Sequence, residues 1–366
     1  MAADLLEVAI LGLLADVPMD QWASDPIAVR GAETLAAFPA GILSADLCRA
    51  HGADGLGRLH AGRRPADRVG ALLREPIPTA WGAPHSFASR RREGWYLTTE
   101  AAWRAAQCGG LPGQHPDLPA QQLGPVTPIA TGRDLASLVQ NDPPGSIPLA
   151  VVQQLQAARA PRSGRFPAGR NDAGFVGRLQ AVEINNGPAA ALSQAFRLGW
   201  RLKWIDYRLE RPEEIWPRAA AGELHPLMLQ LGGWVFDEIE ARHGDRRFLP
   251  QVYAGGCPCH SDWPSGHAID AGVGATILKA TYADGPLLLP SGAQAASVHE
   301  AIDTATWNVA LGRSIAGIHS MGALREGMRL GQAMAVRYLD QQRSGPYVVG
   351  AVSFMGVDGR PVTITA

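Results

Sequence analysis

Lysine is nearly absent from this 366-residue chain: of 33 cationic side chains only Lys203 and Lys279 are lysines, which leaves 31 arginines. A lysine found beside other chemistry-bearing residues is therefore informative. Charge of either sign is not in excess, with 33 basic and 34 acidic residues and a net charge of −1. That balance excludes a bulk attraction to nucleic acid or anionic lipid. No apolar run reaches the ~18 residues of a membrane span, and Met1-Ala2-Ala3-Asp4 lacks the basic start of a secretory signal. A soluble, cytoplasmic protein without membrane or nucleic-acid partners is expected. Cysteine is scarce too: Cys48, Cys108, Cys257 and Cys259 are too few and too scattered for a disulfide framework. Cys257-Pro258-Cys259-His260 has no second Cys/His pair nearby at zinc spacing, which argues against a zinc site.

Abundant features point to a folded helical protein. Hydrophobic residues make up 46% and charged residues 18%, enough to bury a large core and too apolar for disorder. With 42 glycines and 28 prolines, many turns and helix stops are expected. Residues 1–128 are punctuated: Leu5–Leu14 and Ala32–Ala37 predict helices, and 52–128 is rich in Gly, Pro and Arg, with the run Ser89-Arg90-Arg91-Arg92 read as a solvated loop rather than an anion or partner site. Beyond Thr131 the texture changes. Asp134–Val139, Leu149–Ala160 and the apolar-periodic stretches 188–209, 224–242, 266–281, 293–310 and 320–342 predict packed helices. Tyr347–Phe354 and Val362–Thr365 flank Asp358-Gly359 and predict a β-hairpin. The expectation is an all-α fold of two four-helix-bundle-like units. It has a loop-rich N-terminal region over 1–128, a helical core over 129–345 and a β tail over 346–366.

Three segments carry the chemistry. The first runs from Trp200 through Lys203 to Arg211-Pro212. On one continuous helix Lys203 and Arg211 would lie two turns and ~80° apart, close enough for long side chains to converge on an anion, with Pro212 stopping the helix. The second is His260-Ser261-Asp262-Trp263-Pro264-Ser265-Gly266-His267. Here a turn feeds a helix N-terminus, where the Gly266 N–H and Ser265 hydroxyl can donate to an oxyanion and His267 can exchange a proton. No Gly-x-Ser-x-Gly elbow is formed, since Trp263 precedes Ser265 by two. The third is Gly312-Arg313-Ser314-Ile315-Ala316-Gly317-Ile318-His319. Six residues separate Arg313 from His319, ~120° on an ideal helix, so convergence needs a break, and Gly317 can supply one. Each segment alone has a structural explanation. Together they supply three cations, a donor-rich helix start and a histidine, which is the composition of an oxyanion cage.

This constellation resembles the vanadium-dependent haloperoxidases, which share their anion site with type 2 phosphatidic acid phosphatases and bacterial acid phosphatases. The Lys-to-Arg spacing is similar to that of the algal and cyanobacterial bromoperoxidase branch. Thr131–Ala136, Lys203–Glu214, Gly272–Lys279, Asn308–Arg313 and the tail from Phe354 to Ile364 look like that branch as well. The likeness covers about residues 129–366, with a fainter echo at Leu13–Pro18. It implies a vanadate cofactor, with His319 as the ligand to vanadium. Lys203, Arg211, Ser265, Gly266, His267 and Arg313 would hold the vanadate oxygens. Lys203, His260 and His267 would be the catalytic residues, and Trp200 and His260 would form the halide pocket. The implied reaction is oxidation of bromide or iodide by hydrogen peroxide to hypohalous acid via peroxovanadate, with small organic acceptors as further partners and a homodimer or larger homo-oligomer as the assembly. Two other functions remain open at this point: a phosphatase with His319 as nucleophile, and a non-catalytic oxyanion-binding protein. After His319 the chain departs from the branch, reading Ser320-Met321-Gly322 where an aromatic or arginine followed by aspartate is usual.

Overall fold

The computed structural model describes residues 2–38, 71–74, 76–77, 85–86, 88–92, 97–118, 120, 123–141, 146–165, 175–253, 256–342 and 350–365. Twelve α-helices are defined among them. They are α1 (Ala2–Leu13), α2 (Pro26–Ala36), α3 (Ala71–Arg74), α4 (Glu100–Gln107), α5 (Gly132–Asn141), α6 (Ser146–Ala157), α7 (Phe175–Arg201), α8 (Pro212–Ala220), α9 (Pro226–His243), α10 (Gly266–Thr281), α11 (Val298–Ile315) and α12 (Met321–Gln341). Strands occur only as two-stranded antiparallel pairs among these residues. These are β1 (Pro76–Ile77) with β2 (His85–Ser86), β3 (Ala88–Arg92) with β4 (Leu123–Pro128), β5 (Leu287–Leu288) with β6 (Gln294–Ala295), and β7 (Val352–Met355) with β8 (Pro361–Ile364). The all-α architecture and the C-terminal hairpin match the sequence expectation. The arginine run does not: it is strand rather than loop, pairing Ser89 with Thr127 and Arg90 with Val126.

Helix α10 organises the packing, because it is apolar on every side and buried from Ala268 through Thr281. One face (Ala268, Ala271, Ala275, Leu278) joins the larger core with α1, α5, α6, α8, α9, α11 and α12. The opposite face (Ile269, Val273, Ile277, Ala280) joins a smaller core with α7, the C-terminal half of α12 and the β7–β8 hairpin. Alternation of two apolar stripes on one helix thus divides the molecule into two helical groups. The backbones of α10 and α12 touch. A Cβ at Gly272 would lie 2.1 Å from the Met328 carbonyl oxygen, and one at Gly331 2.2 Å from that of Ile269. This contact, with Ser265 N–H donating to Ala323 O at 3.0 Å, fixes where α10 begins.

Packing also crosses residue 128. Every residue of α1 except Asp4 is buried, and Glu7 and Asp4 both pair with Arg325 of α12. Arg133 of α5 pairs with Asp16 at 2.6 Å in the same manner.

The Lys203–Arg211 segment is not one helix. α7 passes into a π-helical segment, Leu202–Tyr207, and Arg208 then turns left-handed at φ 49°. Pro212 opens the next helix rather than stopping the previous one, occupying its first turn, where no N–H is required. Glu214 completes that start by accepting from the Arg211 N–H at 2.7 Å. The two-turn geometry expected from spacing is therefore replaced by a broken path, and the wide π turn seats Lys203 inward.

Candidate active site

Three chain breaks bring the candidate residues together. The π turn carries Lys203, which is 2% exposed. Ser265 caps α10, its Oγ accepting from Ala268 N–H at 3.4 Å, so that Gly266 and His267 occupy the first turn. At the end of α11 the Gly317 N–H donates to Ser314 O at 2.9 Å and the Ile318 N–H to Arg313 O at 3.2 Å. This is the paired closure of a Schellman motif. Gly317 adopts φ +81°, and a Cβ there would meet the Pro250 carbonyl at 2.8 Å. The break expected at Gly317 is present, and it swings His319 back toward Arg313.

A cavity of about 200 Å³ results, lined by Lys203, His260, Gly266, His267, Arg313 and His319, with Phe196, Gly199, Trp200, Pro258 and Ile269 as its apolar wall. No carboxylate lines it among the described residues. Trp200 stands edge-on to His260, ring centroids 5.0 Å apart, and Trp204 lies beyond at 6.4 Å. Arg313 packs over Tyr253 at 5.2 Å, and its buried Nε has no hydrogen-bond partner. Arg211 and Ser265 border the site without lining the cavity. Arg211 is spent on protein acceptors: Nε donates to His260 O at 2.8 Å and Nη1 to Ile318 O at 2.6 Å, while Nη2 is 3.0 Å from His260 Nδ1. Its Nη1 also flanks the His319 ring, 3.3 Å from Nδ1 and 3.1 Å from Nε2.

Electrostatics follow from this crowding. Burial, then the neighbouring Arg211 and Arg313, push the Lys203 ammonium from 10.5 down to about 7. Burial, then Lys203 and Arg211, hold His260 at about 4, and burial with the same cations holds His319 well below its ordinary value. Lys203 Nζ donates to Ser261 O at 2.7 Å and Asp262 O at 3.3 Å, backbone acceptors that do not neutralise it. Cations left so poorly compensated, an orphaned guanidinium nitrogen and the N-terminus of α10 all favour an anion in the cavity. The residues fit a tetrahedral oxyanion such as vanadate or phosphate.

The sequence reading missed Asp262. Its Oδ1 lies 2.6 Å from His319 Nδ1, its Oδ2 accepts from Ser320 Oγ, and burial pushes its carboxyl up to about 6. No local signal marks this, because the 57 residues between Asp262 and His319 are brought together only by the fold. Glu213 was also missed as a titrating group. Burial raises it to about 7 beside the buried Cys257 thiol, whose own pKa is raised by burial. No group of three or more His, Cys, Asp and Glu side chains among the described residues is arranged to hold a metal ion directly. No helix among them is long and apolar enough to cross a membrane.

Fold and site together define a helical protein with a cation-lined cavity that also presents three histidines. Comparison with known proteins narrows that class. No family profile matches the chain. A vanadium-dependent bromoperoxidase of Ascophyllum nodosum is 27% identical over 391 residues, covering 93% of this chain and 68% of that protein. Vanadium-dependent bromoperoxidases of Corallina officinalis and Corallina pilulifera are 27% and 26% identical over 260 residues, 58% of this chain. The chain spans 43% of each Corallina protein. Among solved structures, the homohexameric second vanadate-dependent bromoperoxidase of Ascophyllum nodosum superimposes with a TM-score of 0.77 at 20% identity, over 100% of this chain and 70% of that one. The resemblance to vanadium-dependent haloperoxidases thus holds in sequence and in fold.

Proposed function

We propose that this chain is a vanadium-dependent haloperoxidase that oxidises bromide or iodide with hydrogen peroxide to hypohalous acid, assembled as a homo-oligomer. The observation that carries the reading is the cavity in which buried Lys203 and Arg313 face His319 with no carboxylate among the described lining residues. The curated relatives are vanadium-dependent bromoperoxidases, and the hexameric neighbour supports a homo-oligomer. Bound vanadate would supply a Lewis-acidic centre that activates hydrogen peroxide toward halide without a redox-active protein group.

The chain's own residues do the rest. His319, held neutral by burial and by the surrounding cations, offers a ring nitrogen to the occupant of the cavity. Lys203 and Arg313 offset the charge of the oxyanion from two sides, and the Gly266 N–H adds a donor at the start of α10. Arg211 holds His260 and the His319 loop in place through its three backbone and ring contacts. His267 lines the cavity from the first turn of α10, where its ring can hydrogen-bond the oxyanion. His260, at about 4 while the cage cations are uncompensated, is neutral at pH 7. Its Nδ1 accepts from Arg211 Nη2 at 3.0 Å, so the ring N–H sits on Nε2. An anion in the cavity offsets Lys203 and Arg211, which raises the His260 pKa and favours proton uptake there. Trp200, Phe196 and Pro258 give the halide side of His260 an apolar wall.

The test is bromination and iodination of a phenol indicator by purified protein with hydrogen peroxide, with and without orthovanadate, beside a phosphate-ester assay. Vanadate-dependent halogenation that phosphate suppresses supports the reading. Ester hydrolysis that vanadate inhibits, with no halogenation, replaces it with phosphoryl transfer. Oxyanion binding with neither activity replaces it with a binding role.

A further inference from the structure

We propose that Asp262 is the positioning residue that makes His319 a ligand, fixing the imidazole as the tautomer whose lone pair faces the cavity; this rests on the oxyanion reading above. A neutral imidazole carries one N–H, and which nitrogen bears it follows from the partner on the other side. Asp262 Oδ1 lies 2.6 Å from Nδ1. The Nδ1–H form gives the carboxylate its donor and leaves the lone pair on Nε2, 3.1 Å from the Arg211 Nη1 donor. The other tautomer would leave the carboxylate facing a lone pair and aim an N–H at the space an anion's central atom must approach.

The carboxylate is itself immobilised. Its Oδ2 accepts from Ser320 Oγ, and the Ser320 N–H lies 3.3 and 3.4 Å from the two oxygens. The Asp262 N–H donates to Leu209 O at 2.9 Å, and Ser314 Oγ donates to His319 O at 2.8 Å, fixing the backbone behind the ring. Asp262 is 4% exposed and His319 1%. The six residues that follow His319, Ser320 through Arg325, contain no acid. The carboxylate therefore arrives from across the fold, on the same loop that delivers His260, Ser265, Gly266 and His267. One loop supplies donors to the cage and sets the tautomer of its terminal histidine.

Asp262 is also a partition. On its far side it lines, with Ser320, Leu209, Trp263 and Arg325, a second cavity of about 350 Å³, whereas His319 lines the first. Truncating Asp262 would open a path by which a small carboxylate from solution reaches Nδ1.

The experiment begins with wild-type protein labelled with 15N-histidine and free of vanadate. His319 is expected as the Nδ1–H tautomer, and an Nε2–H tautomer in wild type would overturn the proposal whatever the variants do. In Asp262→Ala the tautomer preference should be lost, and orthovanadate binding by calorimetry should weaken about 10- to 100-fold. Orthophosphate, held by the cations without a bond to Nε2, should change less than threefold. Formate, and not chloride, should restore vanadate binding to Asp262→Ala, with no such effect on His319→Ala. Vanadate affinity within twofold of wild type, or formate without effect, would overturn the positioning role. Failure of wild type to bind either oxyanion would instead overturn the cage reading beneath it.

Discussion

Lys203 gives the sharpest test of the cage, because the structure makes its charge costly until an anion is bound. Its ammonium is held at about 7 against an ordinary 10.5, chiefly by burial. The folded state thus binds this proton more weakly than the unfolded chain. Stability rises with pH between about 7 and 10.5, and the full cost is present below pH 7. A shift of that size corresponds to about 5 kcal/mol. Lys203→Met keeps most of the volume and removes the charge, but it strands the acceptors at Ser261 O and Asp262 O, at a cost of about 1–3 kcal/mol. A net gain of about 2 kcal/mol is expected for the anion-free variant at pH 6. For a chain of this length that is about 2–3 °C in Tm. Orthophosphate at ~100 times its Kd should stabilise wild type by about 2.7 kcal/mol, about 3–4 °C, and the variant far less. The order of the two melting temperatures should therefore reverse on adding phosphate, as read by scanning calorimetry at pH 6. A variant less stable than wild type without anion, with an unchanged phosphate response, would refute the reasoning.

Further outcomes follow from other parts of the fold. His319→Ala should abolish vanadate binding and halide oxidation together, checked by calorimetry and indicator bromination; full activity would sink the site assignment. Glu213→Gln should be more stable than wild type by about 2–3 kcal/mol at pH 8 and equal to it below pH 4.5. The buried carboxyl, raised from 4.5 to about 7, makes wild-type stability fall as pH rises through that interval, and urea denaturation at the two pH values reads the difference. Arg325→Ala removes the cation that the half-buried Asp4 and the buried Glu7 share and should cost about 3–5 kcal/mol; a thermal shift unchanged from wild type would contradict the packing of α1. Gly331→Ala places a methyl group on the Ile269 carbonyl and should cost about 3 kcal/mol or more by the same urea measurement.

The sequence by itself determined the elements and the chemical inventory. Apolar periodicity located α9, α10, α11 and α12 to within a few residues, because a helix that buries one face writes its period into the chain. The hairpin around Asp358-Gly359 was equally readable. The rarity of lysine singled out Lys203, and Gly317 announced the break that returns His319 to Arg313, since left-handed φ is a local requirement. What depends on distance was hidden. Pro212 looked like a helix stop and is a helix start, because the same missing N–H suits either role and only the π turn at Leu202–Tyr207 decides between them. Arg211 is expected from the sequence at the anion, and its contacts to the His260 and Ile318 carbonyls and to the His319 ring are made only by the fold. Asp262 had no signature, because its partner is 57 residues away. Local rules fix which backbone shape each segment takes; which buried charges meet is decided by the glycine-mediated contact of α10 with α12. That contact sets the start of α10 against the start of α12, and with it the loop carrying Asp262 against the loop carrying His319.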